Sequence, residues 1–295
     1  MSYYKYLQPV QVVPDTSTAT EVPLVSREIL SEVQIQQLME QGFTRGLAES
    51  LNETKDAFAL RIWIIDNSGS MQQNDGHRII DDFKGGKLRM VDCSRWDEIR
   101  CCVEYHVRMA SLLHAPTRFR LLNHPNFGNN SSNFSIAENP GSVANEVTDA
   151  LNFLRRVRPG GCTPLTQHIL DIHREVSDMT TELRQTGRRV ALIIATDGLP
   201  TDERGYGGIA YQKEFVEALR LLEGLPVWGV IRLCADDGDC VDFYNKLDNY
   251  LELSIDVWMT FSLKLQRCTM RTHGLPTLFN CTAFENLVIT TERLT

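Results

Sequence analysis

The sequence predicts a doubly wound α/β domain, a mostly parallel sheet with helices on both faces, preceded by a short helical hairpin. Three observations predict it. Apolar runs rich in Ile and Val recur without period-two alternation, as in ALRIWII (59–65), RRVALIIAT (188–196) and PVWGVIRLC (226–234). Strands of that kind are buried on both faces, as in parallel sheets covered by helices. Amphipathic segments of helical length separate them, so strand and helix alternate along residues 58–258. Two of the strands also end abruptly in an aspartate, at Asp66 and Asp197.

The elements follow in order. Residues 1–26, rich in Pro, Thr, Ser and Val without helical period, read as an extended or disordered lead-in. Residues 27–55 read as a helical hairpin capped at Ser26 or Ser31 and broken near Gly42. The first strand covers 59–65. The stretch 72–94 reads as a solvated loop, longer than a minimal strand-to-helix link, in which Asp75, His77, Asp81 and Asp82 could add specificity. A helix over 94–114 precedes a strand at 117–123 and a short strand at 132–138. Ser142 is expected to cap a helix over 141–157. Pro164 stands in the first turn of a helix over 163–183, where its missing N–H costs nothing. After the strand at 188–196 come a helix over 210–224 closed by Gly224, a strand at 226–234, a helix over 239–251 capped by Asp239, and a last strand at 252–258.

The 295 residues are 42% hydrophobic and 23% charged, an ordinary globular composition. The net charge of −8 and the lack of a basic run argue against nucleic acid and anionic membrane as partners. No stretch approaches the roughly 20 apolar residues of a membrane span, and the N-terminus lacks a basic segment followed by an apolar one. The expectation is a cytoplasmic protein whose eight cysteines, with no CxxC pair, are free thiols. In that compartment the Asn-x-Ser/Thr matches at Asn52, Asn129, Asn130, Asn133 and Asn280 carry no meaning. The oligomeric state stays open.

In open α/β sheets ligands gather at the carboxyl ends of the strands, near the switch point. Three stretches arrive there. The first strand delivers Asp66, Ser68 and Ser70; the loop RPGGCTPL delivers Thr163 after two glycines; the strand RRVALIIATDG delivers Asp197. All five are hard oxygen donors, suited to Mg²⁺, Mn²⁺ or Ca²⁺ and not to zinc or copper. Only two are carboxylates, so a divalent ion would stay incompletely neutralised, with a position open to a carboxylate from another molecule. Asp202 and Glu203 are expected to rim this site. The acidic stretch ADDGDCVD (235–242) has the wrong spacing for a calcium loop.

With DNSGSM (66–71), GGCTPL (160–165) and ATDGLPTD (195–202) in this order, the chain resembles the von Willebrand factor A domain family and its metal-ion-dependent adhesion site. The resemblance covers about residues 58–258 and implies a Rossmann-like fold. It implies that Asp66, Ser68 and Ser70 touch the metal, that Thr163 coordinates directly or through water, and that Asp197 acts through water. It further implies a protein partner whose Asp or Glu completes the metal shell, and no catalysis.

Two other functions have weaker signals. QIQQLMEQGFTRGLAESL (34–51) is similar to the start of a ubiquitin-associated domain, with Phe43 the residue to watch, and would make the chain a ubiquitin-pathway adaptor. A plain helical brace is the alternative. A metal-assisted hydrolase would need a base and a nucleophile near Asp66. Ser68 lacks the flanking glycines of a nucleophile elbow, no HExxH exists, and Gly85-Gly86-Lys87 is followed by Leu88, which breaks the phosphate-loop pattern. His106, His114, His168 and His173 read as packing or surface residues of helices.

The tail, 258–295, has no clean period. Shifted by one base, the codons of Val257 to Thr260 permit Leu-Asp-Asp and an apolar residue, and those of Asn280 to Glu285 permit a helix-like run. The expectation is a frameshifted segment that packs poorly; an intact frame in the resequenced transcript across Val257 would refute it.

Overall fold

The computed structural model describes residues 29–258 apart from 83–86, 126, 128–130, 140, 236 and 248–249, with backbone alone at 52–54, 79–82, 87–89 and 258. The lead-in over 1–26 and the tail from 259 lie outside the described residues.

Six strands form one sheet in the order β5-β4-β1-β6-β7-β8. They are β1 (Phe58–Ile65), β4 (Thr117–Leu121), β5 (Asn133–Ile136), β6 (Arg189–Thr196), β7 (Val227–Leu233) and β8 (Ile255–Trp258). All neighbours run parallel except β4 and β5. From β1 the chain winds outward through β4 and β5, then returns to the other side of β1 and continues through β6, β7 and β8. The winding therefore reverses between β1 and β6, and a crevice is expected at their carboxyl ends.

Side-chain alternation in the two central strands splits the core. Leu60, Ile62 and Ile64 of β1, with Val190, Leu192 and Ile194 of β6, pack under α5 (Leu165–Thr186), α6 (Ile209–Arg220) and α7 (Gly238–Asn245). Trp63, Ile65, Ala191, Ile193 and Ala195 pack under α3 (Arg95–Leu112) and α4 (Val143–Arg156). Both faces are covered, so neither strand alternates with polar residues.

The hairpin at the start is α1 (Glu32–Glu40) and α2 (Arg45–Ala57). Ser31 caps α1 in a capping box with Gln34, and Thr44 caps α2 by accepting the Leu47 N–H. Gly42 takes the turn between them at φ 94°. Leu30, Ile35, Leu38, Phe43, Ala48 and Leu51 form a satellite core with Met109 and Leu113 at the end of α3. Gln34 also donates to the Leu112 carbonyl at 2.6 Å. The hairpin is thus a brace against α3, and Phe43, 3% exposed, points into it.

Five local expectations change, the first being that α6 closes at Leu221 and not at Gly224. The stretch 72–94 is not a plain loop: β2 (Gly76–Asp82) and β3 (Lys87–Cys93) pair as an antiparallel ribbon. Ser142 stands at the start of α4 but gives no cap; its hydroxyl bonds Glu146 Oε1 at 2.5 Å. Asp237, not Asp239, caps α7, accepting the Asp239 N–H. Pro164 is the residue before α5, not inside its first turn. Among the described residues no helix is long and apolar enough to cross a membrane, and Cys93, Cys101, Cys102, Cys162, Cys234 and Cys240 are free thiols.

Candidate functional site

The ends of β1 and β6 lie side by side, joined by the Asp66 N–H donating to the Ala195 carbonyl at 2.8 Å. Asp66 leaves β1 at this point and is fully buried. One carboxylate oxygen accepts the Ser68 N–H at 2.8 Å, and the other accepts the Thr196 hydroxyl at 2.6 Å. The chain then winds into a single 3-10 turn, Gly69–Gln72, that presents the serines. The Ser68 and Ser70 hydroxyls lie 3.0 Å apart, and Ser70 donates to Asp197 Oδ1 at 2.8 Å. Four of the five expected donors are thereby joined in one hydrogen-bonded group. The fifth, Thr163, is buried, with its hydroxyl facing Gly198, the residue after Asp197.

The loop carrying Thr163 is stitched to β1 by two asparagines. The Asn67 amide exchanges two bonds with the Asn123 backbone, at 3.0 Å to the carbonyl and 2.8 Å from the N–H. The Asn123 amide does the same for Cys162, donating to its carbonyl at 2.8 Å and accepting its N–H at 3.3 Å. The Gly69 N–H donates to the Gly161 carbonyl, and the Gly160 N–H to that of Asn67. Thr163 is locked further by Thr201: its N–H donates to the Thr201 hydroxyl and its carbonyl accepts the Thr201 N–H, each at 3.0 Å. From below, Tyr244 of α7 donates to the Gly198 carbonyl at 2.9 Å.

Gly161 has φ 93°, and a Cβ there would come within 2.4 Å of Asn123 Oδ1. Gly161→Ala therefore meets both backbone strain and a clash. The expected result is a loss of about 2 kcal/mol or more in chemical denaturation, with displacement of Thr163. A variant as stable as the wild type would mean that the loop relaxes freely.

The electrostatics are uneven. Burial, then the neighbouring Asp197 charge, push the Asp66 carboxyl up to about 6. Asp66 accepts from the Ser68 N–H and the Thr196 hydroxyl but has no basic side chain beside it among the described residues. Asp197 differs: its second oxygen accepts from Arg95 Nη1 at 2.8 Å. Arg95 also grips Asp75 with two bonds, at 2.7 and 2.6 Å, and its guanidinium holds the Asp75 carboxyl below the usual range.

Arg95, Thr196, Asn67, Asn123 and Tyr244 went unnoticed in the sequence as supporting residues. Thr196 stands in the quoted ATDG motif without a role assigned to it; of the others only Arg95 leaves a trace, as a basic residue in the first turn of a helix, at the end that the dipole makes unfavourable to cations.

Other expected site residues serve elsewhere. Asp202 Oδ1 accepts the Arg204 and Tyr206 N–H groups, so Asp202 shapes its own loop, while Glu203 beside it is exposed. His77 pairs across the ribbon with Asp92. Asp81 and Asp82 lie on β2. The half-buried His168 ring contacts the Leu122 carbonyl, and His106 packs on Trp63.

The residues fit a hard divalent cation. Two carboxylates and two hydroxyls group together with the Thr163 hydroxyl facing Gly198; both carboxylates are buried, and Asp66, without the arginine that Asp197 has, carries a cost that a cation would offset. Among the described residues no group of three or more His, Cys, Asp or Glu is placed to share a metal; the donor set here depends on hydroxyls.

The sequence matches no protein-family model and no curated protein. Among solved structures the chain is similar to the PilB minor pilin from Streptococcus sanguinis, at 10% identity and a TM-score of 0.47. A point mutant of that pilin gives 12% and 0.48. Each comparison covers 78% of this chain and 62% of that one, so the chain spans less than two thirds of the pilin's length. The human COPII-coat protein Sec24c gives 10% identity and 0.31, over 70% of this chain and 30% of that one.

Proposed function

We propose that residues 58–258 form a von Willebrand factor A-type domain whose metal-ion-dependent adhesion site takes a divalent cation, Mg²⁺ or else Mn²⁺ or Ca²⁺, and binds a protein through that partner's Asp or Glu. The observation that carries this is the grouping of Asp66, Ser68, Ser70 and Asp197, with Thr163 beside Gly198, at the sheet's switch point. Asp66, Ser68 and Ser70 would hold the ion, with Thr163 and Asp197 holding it directly or through water. When bound, the ion supplies a positive centre that an incoming carboxylate can complete. The chain's own part is to fix the donors. Thr196 and the Ser68 N–H orient Asp66, Arg95 orients Asp197, and the asparagine pair sets the distance between the first two loops.

A ubiquitin-binding role for the hairpin has no comparable support, since Phe43 faces the satellite core.

The test is selection of a displayed peptide library on the purified protein in Mg²⁺, with elution by EDTA. The reading expects peptides sharing an Asp or Glu whose change to Asn or Gln abolishes binding. It expects Thr163→Ala to weaken these peptides by about tenfold, a little over 1 kcal/mol, while metal affinity falls less. Peptides indifferent to EDTA and to loss of their acidic residues would contradict it.

A further inference from the structure

The position of Arg95 conflicts with its local chemistry. It follows the cap Ser94 as the first residue of α3, where the helix dipole is positive and a cation is disfavoured. Its side chain is only 10% exposed, so the guanidinium has also lost most of its water. Two carboxylates offset this: Asp197, fully buried, and Asp75, 54% exposed. Nη1 serves Asp197, while Nε and Nη2 serve Asp75.

The root of the ribbon is fastened at the same place. The Arg95 N–H donates to the Gln73 carbonyl, and a Cβ on Gly76 would come within 2.8 Å of the Ser94 carbonyl. One guanidinium therefore joins a candidate metal carboxylate to the stretch 72–94.

This arrangement changes the charge that a cation would meet. Asp66 and Asp197 together carry two negative charges, and Arg95 cancels one at short range. Like charges a few Å apart at a partly buried site repel strongly. Asp75 in turn cancels part of Arg95.

Building on the metal-site reading above, we propose that Arg95 is a fixed counter-charge that lowers the intrinsic affinity of this site for divalent cations, and that Asp75 sets how much of that charge the site feels. The site then takes a cation weakly until a partner's carboxylate adds the missing negative charge. Arg95 acts as a tuning and positioning residue through Asp197 and does not itself hold the ion.

The experiment is calorimetric titration with Mn²⁺ alone of the full chain, wild type beside Arg95→Met, Arg95→Gln, Asp75→Asn and Asp66→Ala. Circular dichroism melting checks each fold. Arg95→Gln keeps an amide donor for Asp197 without the charge, in case the methionine variant folds poorly. Both Arg95 variants are expected to bind Mn²⁺ about tenfold tighter or more. Asp75→Asn, whose exposed site tolerates change, is expected to bind several-fold weaker.

A clamp that only positions Asp197 would make all three variants bind more weakly, which would overturn the proposal. So would affinities unchanged within about twofold. If wild type binds and Asp66→Ala does not, either result sinks the tuning role while the metal site stands. If wild type fails to bind but an Arg95 variant gains binding, the proposal is supported. Failure of wild type and both Arg95 variants would remove the site and its tuning together.

Discussion

Stripped of divalent cations with EDTA, the protein is expected to lose Asp66's share of its stability as pH rises from about 4 to about 6, seen as the difference between wild type and Asp66→Asn. The cause is Asp66. Its carboxyl is raised from 3.8 to about 6 in the fold, first by burial and then by Asp197. A folded state that holds a proton more tightly than the unfolded chain is favoured at low pH. The sign is therefore opposite to that of a salt-bridged aspartate. Below pH 4 both states are protonated and Asp66 contributes nothing. Above pH 6 both are ionised and the folded state bears the full cost, about 3 kcal/mol for a shift of about two pH units.

Asp66→Asn is expected to flatten this part of the profile and to raise apo stability near pH 7, while removing metal binding. Saturating Mg²⁺ should restore wild-type stability at pH 7 and do nothing for the variant. Urea denaturation at pH 4, 5, 6 and 7, with and without metal, reads all of this. A wild-type profile that rises through this range and is unchanged in Asp66→Asn would show that the buried carboxylate is already compensated.

The second large effect is at Phe43. Its ring is 3% exposed, in a small core between the hairpin and α3. Phe43→Ala is expected to cost about 3 kcal/mol and to loosen the hairpin while the sheet stays intact. Hydrogen exchange should rise in 32–57 and at the end of α3 and stay unchanged in β1 and β6. A ring that instead served a partner could be removed with less than about 0.5 kcal/mol of change, and that result would reopen the adaptor reading.

The fold was legible in the sequence because the central strands are buried on both sides. Ile62 and Ile64 face one helical layer, and Trp63 and Ile65 the other. Nothing in such a strand needs to alternate, and the interruptions by helical periods are plain. The candidate site was legible as a grouping because each of the two carboxylates ends an apolar strand, and the hydroxyls sit within four residues of Asp66 or just after a pair of glycines.

The ribbon was less legible. Ile79 and Ile80 are adjacent and the acidic pair Asp81-Asp82 follows them, so period-two alternation is blurred. Arg95 was hidden for another reason. Its partners lie 20 and 102 residues away in the chain, and only the fold brings them together. The Asn67–Asn123–Cys162 relay is of the same kind, spanning 56 and then 39 residues. Local signals place donors at a strand end; the pairs that orient them depend on tertiary contacts.

The central claim is that Asp66, Ser68, Ser70, Thr163 and Asp197 hold a divalent cation. Its most direct test is calorimetric titration of the wild type with Mg²⁺ and Mn²⁺, each with and without a selected acidic peptide, beside Asp66→Ala. The expected result is saturable binding at one ion per chain, tightened by the peptide and absent from Asp66→Ala, which keeps its fold by circular dichroism. Lack of saturable binding even with the peptide, or binding that survives in Asp66→Ala, would contradict the claim.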